Sequence, residues 1–228
     1  MAQTMQDGTS RSPSAANRRD TRFIGDVMGS YLLASRAQTP GAVQVFACRS
    51  RSISAQEAVL NAPVAGNPGD ALTMTLQGLG LLHGRITRIL DGGFAVAFEC
   101  TEQERRTLGA RIDWLKRRTL KTVSDRRAHK RVLPRETRAN LVLGDGNKLD
   151  CFIIDMSQSG VAVSADVLPP VGSLAGVGAI PGKVVRHIEA GFAVQFAELQ
   201  PIAQLEALLT LKTSNHRMLA GQRLGLSE

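Results

Sequence analysis

The chain has 228 residues, 43% of them hydrophobic, 21% charged and 4% aromatic, with 28 Lys and Arg against 20 Asp and Glu for a formal net charge of +8. This apolar content excludes a chain disordered throughout, and the length suits one large or two small domains. No apolar run approaches a membrane span and the polar N-terminus has no secretory h-region, so no membrane insertion and a cytoplasmic location are expected, with anionic partners favoured by the charge.

Residues 1–22 are rich in Ser, Ala, Gln and Asn without a period, and read as a flexible tail. Short strand-like runs follow at Met28 to Ser35, Val43 to Ser50, Ala71 to Leu76, Gly84 to Ile89 and Phe94 to Phe98, broken by turn residues such as Asn67-Pro68-Gly69-Asp70 and Asp91-Gly92-Gly93. Thr101-Glu102-Gln103-Glu104 reads as a capping box, and Leu108, Ile112 and Leu115 continue a helix with one apolar stripe. A basic linker comes next. The strand pattern resumes at about Arg138 and runs to Phe196, Pro201 to Leu211 reads as a second helix, and residues 214–228 read as a loose tail.

An internal repeat shapes the fold expectation. His83 to Phe98 aligns with Pro181 to Phe196 without a gap, and Cys48 to Val59 aligns with Cys151 to Ala162. Each half then ends in a helix, so two small strand-rich domains of one kind in tandem are expected, over residues 23–118 and 119–213. The cysteines Cys48, Cys100 and Cys151 are odd in number and far apart, which fits buried reduced thiols better than a disulfide framework or a metal site.

The second half carries the chemistry. Arg126, Arg127 and Arg131 precede a strand-like segment ending in Asp155-Met156-Ser157-Gln158-Ser159-Gly160. An arginine fork suits the O6 and N7 acceptors of guanine or a phosphate, and a carboxylate can take the guanine N1 and N2 protons. Asp155 and Ser157, two apart on a strand, face one side, and Gly160 allows a turn or a close approach. Arg127 to Arg131 has the form RxxxR, and Asp155 to Gly160 the form [DN]xSxxG. Together they resemble the two-part signature of the PilZ family. That resemblance implies a mainly β fold of six-stranded barrels and a bacterial second messenger, cyclic diguanylate, as ligand, with no cofactor and no catalysis. It also implies a link to motility, exopolysaccharide synthesis or similar surface behaviour through a downstream effector protein, and in this family two stacked ligands often bind.

In the first half Ser52 stands where the second has Asp155, and Glu57 where it has Gly160, although Arg18 and Arg22 repeat the arginine spacing. The first barrel is therefore expected to be a degenerate copy. The basic stretch from Arg105 to Arg138 sets thirteen cations against three carboxylates, so nucleic-acid binding or protein docking is the alternative reading. Aromatics for base stacking are scarce, and nucleic acid is not the expected partner. The histidines His83, His129, His187 and His216 form no catalytic motif, and no enzyme is expected. The expected mechanism is that a dinucleotide recruits Arg127 and Arg131, with Arg126 adding a phosphate contact, and orders a mobile linker of about residues 119–134 across Asp155, Ser157 and Gly160, reorienting the barrels.

Overall fold

Period-two alternation of apolar and polar residues, interrupted by glycine turns, organises most of the chain into strands. The computed structural model describes residues 22–37, 39–118 and 131–210, with the side chain of Arg118 excepted. Residues 1–21 of the tail expected over 1–22, residues 211–228 including the tail expected over 214–228, and the linker residues 119–130 with Arg126, Arg127 and His129, lie outside the described residues.

The elements of the first half are β1 (Phe23–Ile24), β2 (Met28–Leu33), β3 (Phe46–Ile53), β4 (Glu57–Asn61), β5 (Ala71–Leu76), β6 (Gly80–Leu90), β7 (Gly93–Phe98) and α1 (Glu102–Arg118). Those of the second are β8 (Arg138–Leu143), β9 (Lys148–Ser157), β10 (Gly160–Ala165), β11 (Leu174–Val177), β12 (Ile180–Ile188), β13 (Gly191–Phe196) and α2 (Ile202–Leu209). In the first half β3, β2, β5, β6, β7 and β4 pair in that order and β4 returns to β3, closing a six-stranded barrel with β1 added outside β3. In the second, β9, β8, β11, β12, β13 and β10 close the same ring. Laying β2–β7 on β8–β13 reproduces every pairing, so the sequence repeat is a repeat of topology.

Sequence patterning missed β1 and β4, which are two and five residues long, too short for alternation to be read. It also ended β3 early at Ser50. The ladder with β4 shifts register between Ser50 and Ser52, and this bulge at Arg51 breaks the alternation inside a strand that continues to Ile53.

Each barrel is filled by inward side chains and plugged by its helix. Tyr31, Phe46 and Phe94 meet in the first core with ring centroids 5.6 and 5.3 Å apart, and the Tyr31 hydroxyl donates to the Val64 carbonyl. Burial pushes the Tyr31 phenol well above its ordinary pKa, so it stays a neutral donor. Leu108 and Ile112 of α1 enter this core and Leu115 packs beside it, which is the apolar stripe expected. Its start is the capping box: the Glu104 carboxylate accepts the Thr101 N–H at 2.8 Å, while the Thr101 hydroxyl accepts the Glu104 N–H at 3.3 Å. Leu205 and Leu209 of α2 close the second core, each fully buried. Burying each such side chain contributes about 1.5–3 kcal/mol.

The barrels touch through β3 and the β9–β10 pair. Ala47, Phe152 and Ala190 are buried there, with Met28, Val45 and Ile154 alongside. Polar ties frame the patch: the Ala47 N–H donates to Ser164 Oγ at 3.1 Å, Arg36 grips both oxygens of Asp166, and Arg138 pairs with Asp91. Cys48 and Cys151 are buried as expected, but Cys100, two residues past β7, is only partly buried. Among the described residues no helix is long and apolar enough to cross a membrane, and no group of three or more side chains is placed to hold a metal ion.

Candidate ligand-binding cleft

Strict alternation from Cys151 and Ile153, both in the barrel core, would turn Asp155 inward. A bulge prevents this. Opposite β10 the register shifts so that Ile153 faces Val163 and Asp155 faces Ala162, leaving Ile154 as the extra residue. Met156 then points into the core, and Asp155 and Ser157 point out on one side. Ile154 itself packs toward the contact between barrels. The reason is the inserted residue, which resets the phase of the strand.

A second bulge, between Val184 and Arg186 in β12, does the same for Arg186. Asp155, Ala162, Ala193 and Arg186 are consequently cross-strand neighbours in one row over β9, β10, β13 and β12. The row spans three strand gaps, about 14 Å at strand spacing. Its middle is floored by alanines, and the adjacent row by Gly160, so a shallow cleft of about 330 Å³ opens on the outer barrel wall. A carboxylate stands at one end and a guanidinium at the other. Ser157, Ser159 and Gln195 complete the polar rim.

Arg131 closes the acidic end. Its Nη1 donates to Asp155 Oδ2 at 2.9 Å, with the two side chains 33% and 21% exposed, so this charge pair is only partly screened. The backbone holds it there, because Val132 and Met156 exchange N–H···O bonds of 2.8 and 3.0 Å. The Ser157 hydroxyl donates to the Gly160 carbonyl at 3.2 Å and lies 3.3 Å from Ser159 Oγ, stapling the β9–β10 turn at the edge of the cleft. Gly160 does not adopt a left-handed conformation. A Cβ there would come within 2.6 Å of the Val194 carbonyl, so glycine is required by the close pass of β13.

The structure thus brings Arg131, Asp155, Ser157 and Gly160 together at one cleft; Arg126 and Arg127 lie outside the described residues. Sequence reading missed Ser159, Arg186 and Gln195. The repeat held one signal, since Arg186 aligns with Arg88 in the first half and both follow a bulge.

The first barrel has the counterpart of this place in altered form. Phe23 pairs with Ile53 as Val132 pairs with Met156, so Arg22 occupies the position of Arg131. It is ion-paired with Glu57, the residue aligned with Gly160. The corresponding row reads Ser52, Val59, Ala95 and Arg88, without a carboxylate and with a bulkier floor. Ser54 repeats the turn staple through the Glu57 carbonyl at 3.4 Å. An internal carboxylate therefore stands against the arginine that an external anion would need.

The basic helix α1 is largely self-paired. Arg105 and Arg106 lie 4.0 and 3.2 Å from Glu102, Lys116 lies 3.9 Å from Asp113, and Arg111 donates to the Leu79 carbonyl at 2.6 Å.

No curated protein matches the chain. Among solved structures, the chain resembles the Bacillus subtilis inhibitor of motility MotI/DgrA at 12% identity and TM-score 0.27, covering 82% of this chain and 94% of that one. It resembles the Borreliella burgdorferi PlzA protein in complex with c-di-GMP at 14% identity and TM-score 0.25, covering 84% and 93%. It resembles the K. pneumonia MrkH–c-di-GMP complex at 11% identity and TM-score 0.26, covering 80% and 83%. The stretch that builds the cleft, residues 125–211, matches the family model of the PilZ domain.

Proposed function

We propose that the chain is a receptor for cyclic diguanylate that works by binding and not by catalysis, with residues 119–213 as the ligand-binding PilZ domain and residues 23–118 as a degenerate copy. The observation that carries this reading is the convergence of Arg131 and Asp155 on a small-residue floor that ends in Arg186, within the stretch that matches the PilZ domain. Solved structures of PlzA and MrkH hold c-di-GMP. A planar guanine lies on the alanine and glycine floor, Asp155 accepts hydrogen bonds from its N1–H and N2–H, and the arginine forks take its Hoogsteen edge and the phosphates. Ser157 and Gly160 shape the turn beneath it. Arg126 and Arg127, upstream of Arg131, supply further phosphate contacts, and their seating changes how the barrels are arranged for an effector protein in the cytoplasm that governs motility, exopolysaccharide or similar surface behaviour.

Calorimetry with cyclic diguanylate on the intact chain, Arg127→Ala and Asp155→Ala tests the reading. The intact chain binds, and both variants bind markedly more weakly. Equal binding by all three, or heat from none, overturns the assignment. Binding by simple polyanions that collapses with salt and ignores Asp155 supports the nucleic-acid reading instead.

A further inference from the structure

The few residues after Arg131 are held from two sides. Among the described residues Arg49, in β3 of the first barrel, is the one charged side chain that is buried, at 2% exposure. Its guanidinium crosses to the second half, where Nη1 donates to the Pro134 carbonyl and Nη2 to the Arg135 carbonyl at 2.8 Å. Nε makes no hydrogen bond and lies 3.6 Å from the Asp26 carboxylate. From the other side, Glu206 of α2 accepts the Arg135 N–H at 2.7 Å and the Glu136 N–H at 3.1 Å. Residue 135 therefore has its carbonyl tied to the first barrel and its amide tied to the C-terminal helix. Just upstream, Val132 is zipped to Met156, next to Asp155. Just downstream, the Thr137 carbonyl accepts the Ile153 N–H at 2.7 Å.

We infer that residues 132–137 form a strap that couples the cleft to the first barrel and to α2, with Arg49 and Glu206 as positioning residues for Arg131; this rests on the dinucleotide reading above. Arg135 follows Arg131 by four positions, a span of about 14 Å at most. Arg131 cannot be repositioned over a ligand without loading that clamped peptide. The load is not absorbed cheaply, because releasing the strap leaves a buried guanidinium and two carbonyls without partners. Ligand occupancy and strap seating then stabilise each other, since coupling between two sites is reciprocal.

The test is calorimetry of cyclic diguanylate with the full chain carrying Arg49→Met, Glu206→Ala, Glu206→Gln or Arg36→Ala. Arg49→Met and Glu206→Ala weaken binding about tenfold, the effect of one lost charge-assisted bond relayed to Arg131. Glu206→Gln keeps an oxygen acceptor for the two amides and stays within about twofold. Arg36→Ala breaks the Asp166 tie between barrels away from the strap and leaves affinity unchanged. If Arg49→Met does not fold, the contrast between Glu206→Ala and Glu206→Gln decides alone. Binding by both strap variants equal to that of the unsubstituted chain overturns the coupling, as does an equal loss in Arg36→Ala, which would mark a general effect of loosened packing. Absence of binding by the unsubstituted chain overturns the dinucleotide reading itself, and the coupling with it.

Discussion

Replacing Asp155 with alanine separates the ligand's demand on this carboxylate from the protein's own. Among the described residues the partner of Asp155 is the Arg131 guanidinium at 2.9 Å, and both side chains are partly exposed. A pair of that kind contributes at most about 1 kcal/mol to stability. For a chain of this size a loss of that order lowers Tm by about 2–4 °C. With guanine in the cleft the carboxylate accepts two hydrogen bonds, from N1–H and N2–H, and two charge-assisted bonds at the low end of their range total about 3 kcal/mol. Binding first has to release Arg131 from Asp155, which takes back about 1 kcal/mol. The net loss in Asp155→Ala is about 2 kcal/mol, roughly thirtyfold in Kd at about 1.4 kcal/mol per decade. Calorimetry gives the affinity and a thermal melt the stability. A Kd raised less than about threefold refutes the role of Asp155. A melt lowered far beyond the few degrees worked out above refutes the view that its ion pair is only a modest structural element.

Three further outcomes follow from the same geometry. Burial pushes the Cys48 and Cys151 thiols up to about 12 and hides them, so at pH near 8 a disulfide-exchange reagent should titrate Cys100 alone in the native chain and all three cysteines in denaturant; rapid native reaction in Cys100→Ala would contradict the buried placement. The Glu104 carboxylate is held below the ordinary glutamate range by the Thr101 backbone N–H and hydroxyl, so its contribution to the start of α1 is present above the unfolded pKa and is lost as pH falls through the folded one. The protection factor of the Thr101 amide, its slowing relative to an unstructured amide at the same pH, should fall with acid in the parent and show no such step in Glu104→Gln. Glu57→Ala, which removes only the ion pair with Arg22 in the first barrel, should leave the affinity and stoichiometry for cyclic diguanylate unchanged, and a second binding event in calorimetry would show that the first barrel had been shut by this carboxylate alone.

Much of the site was legible because its residues are close in sequence or repeat a pattern. Asp155, Ser157 and Gly160 sit at one turn, and the order of the arginine pair and that turn needed no coordinates to recognise. Arg186 and Gln195 were not legible, since they reach the cleft only through pairing of β12 and β13 with β10. In the sequence Gly160 suits a turn or the close approach of a ligand, yet the nearest atom to its missing Cβ is the Val194 carbonyl, on a strand far along the chain.

Local chemistry alone determined the strand-and-helix pattern of each half and the capping box of α1, because period-two alternation and short-range hydrogen bonds act within a few residues. Tertiary structure decided the rest. The bulges at Ile154 and Val185 depend on which strands are neighbours, and without them Asp155 would face a hydrophobic core. Arg49 looked like any strand cation until the second barrel removed it from water and gave it the Pro134 and Arg135 carbonyls. Such choices rest on contacts between segments distant along the chain, where packing and desolvation outweigh any preference a residue expresses among its sequence neighbours.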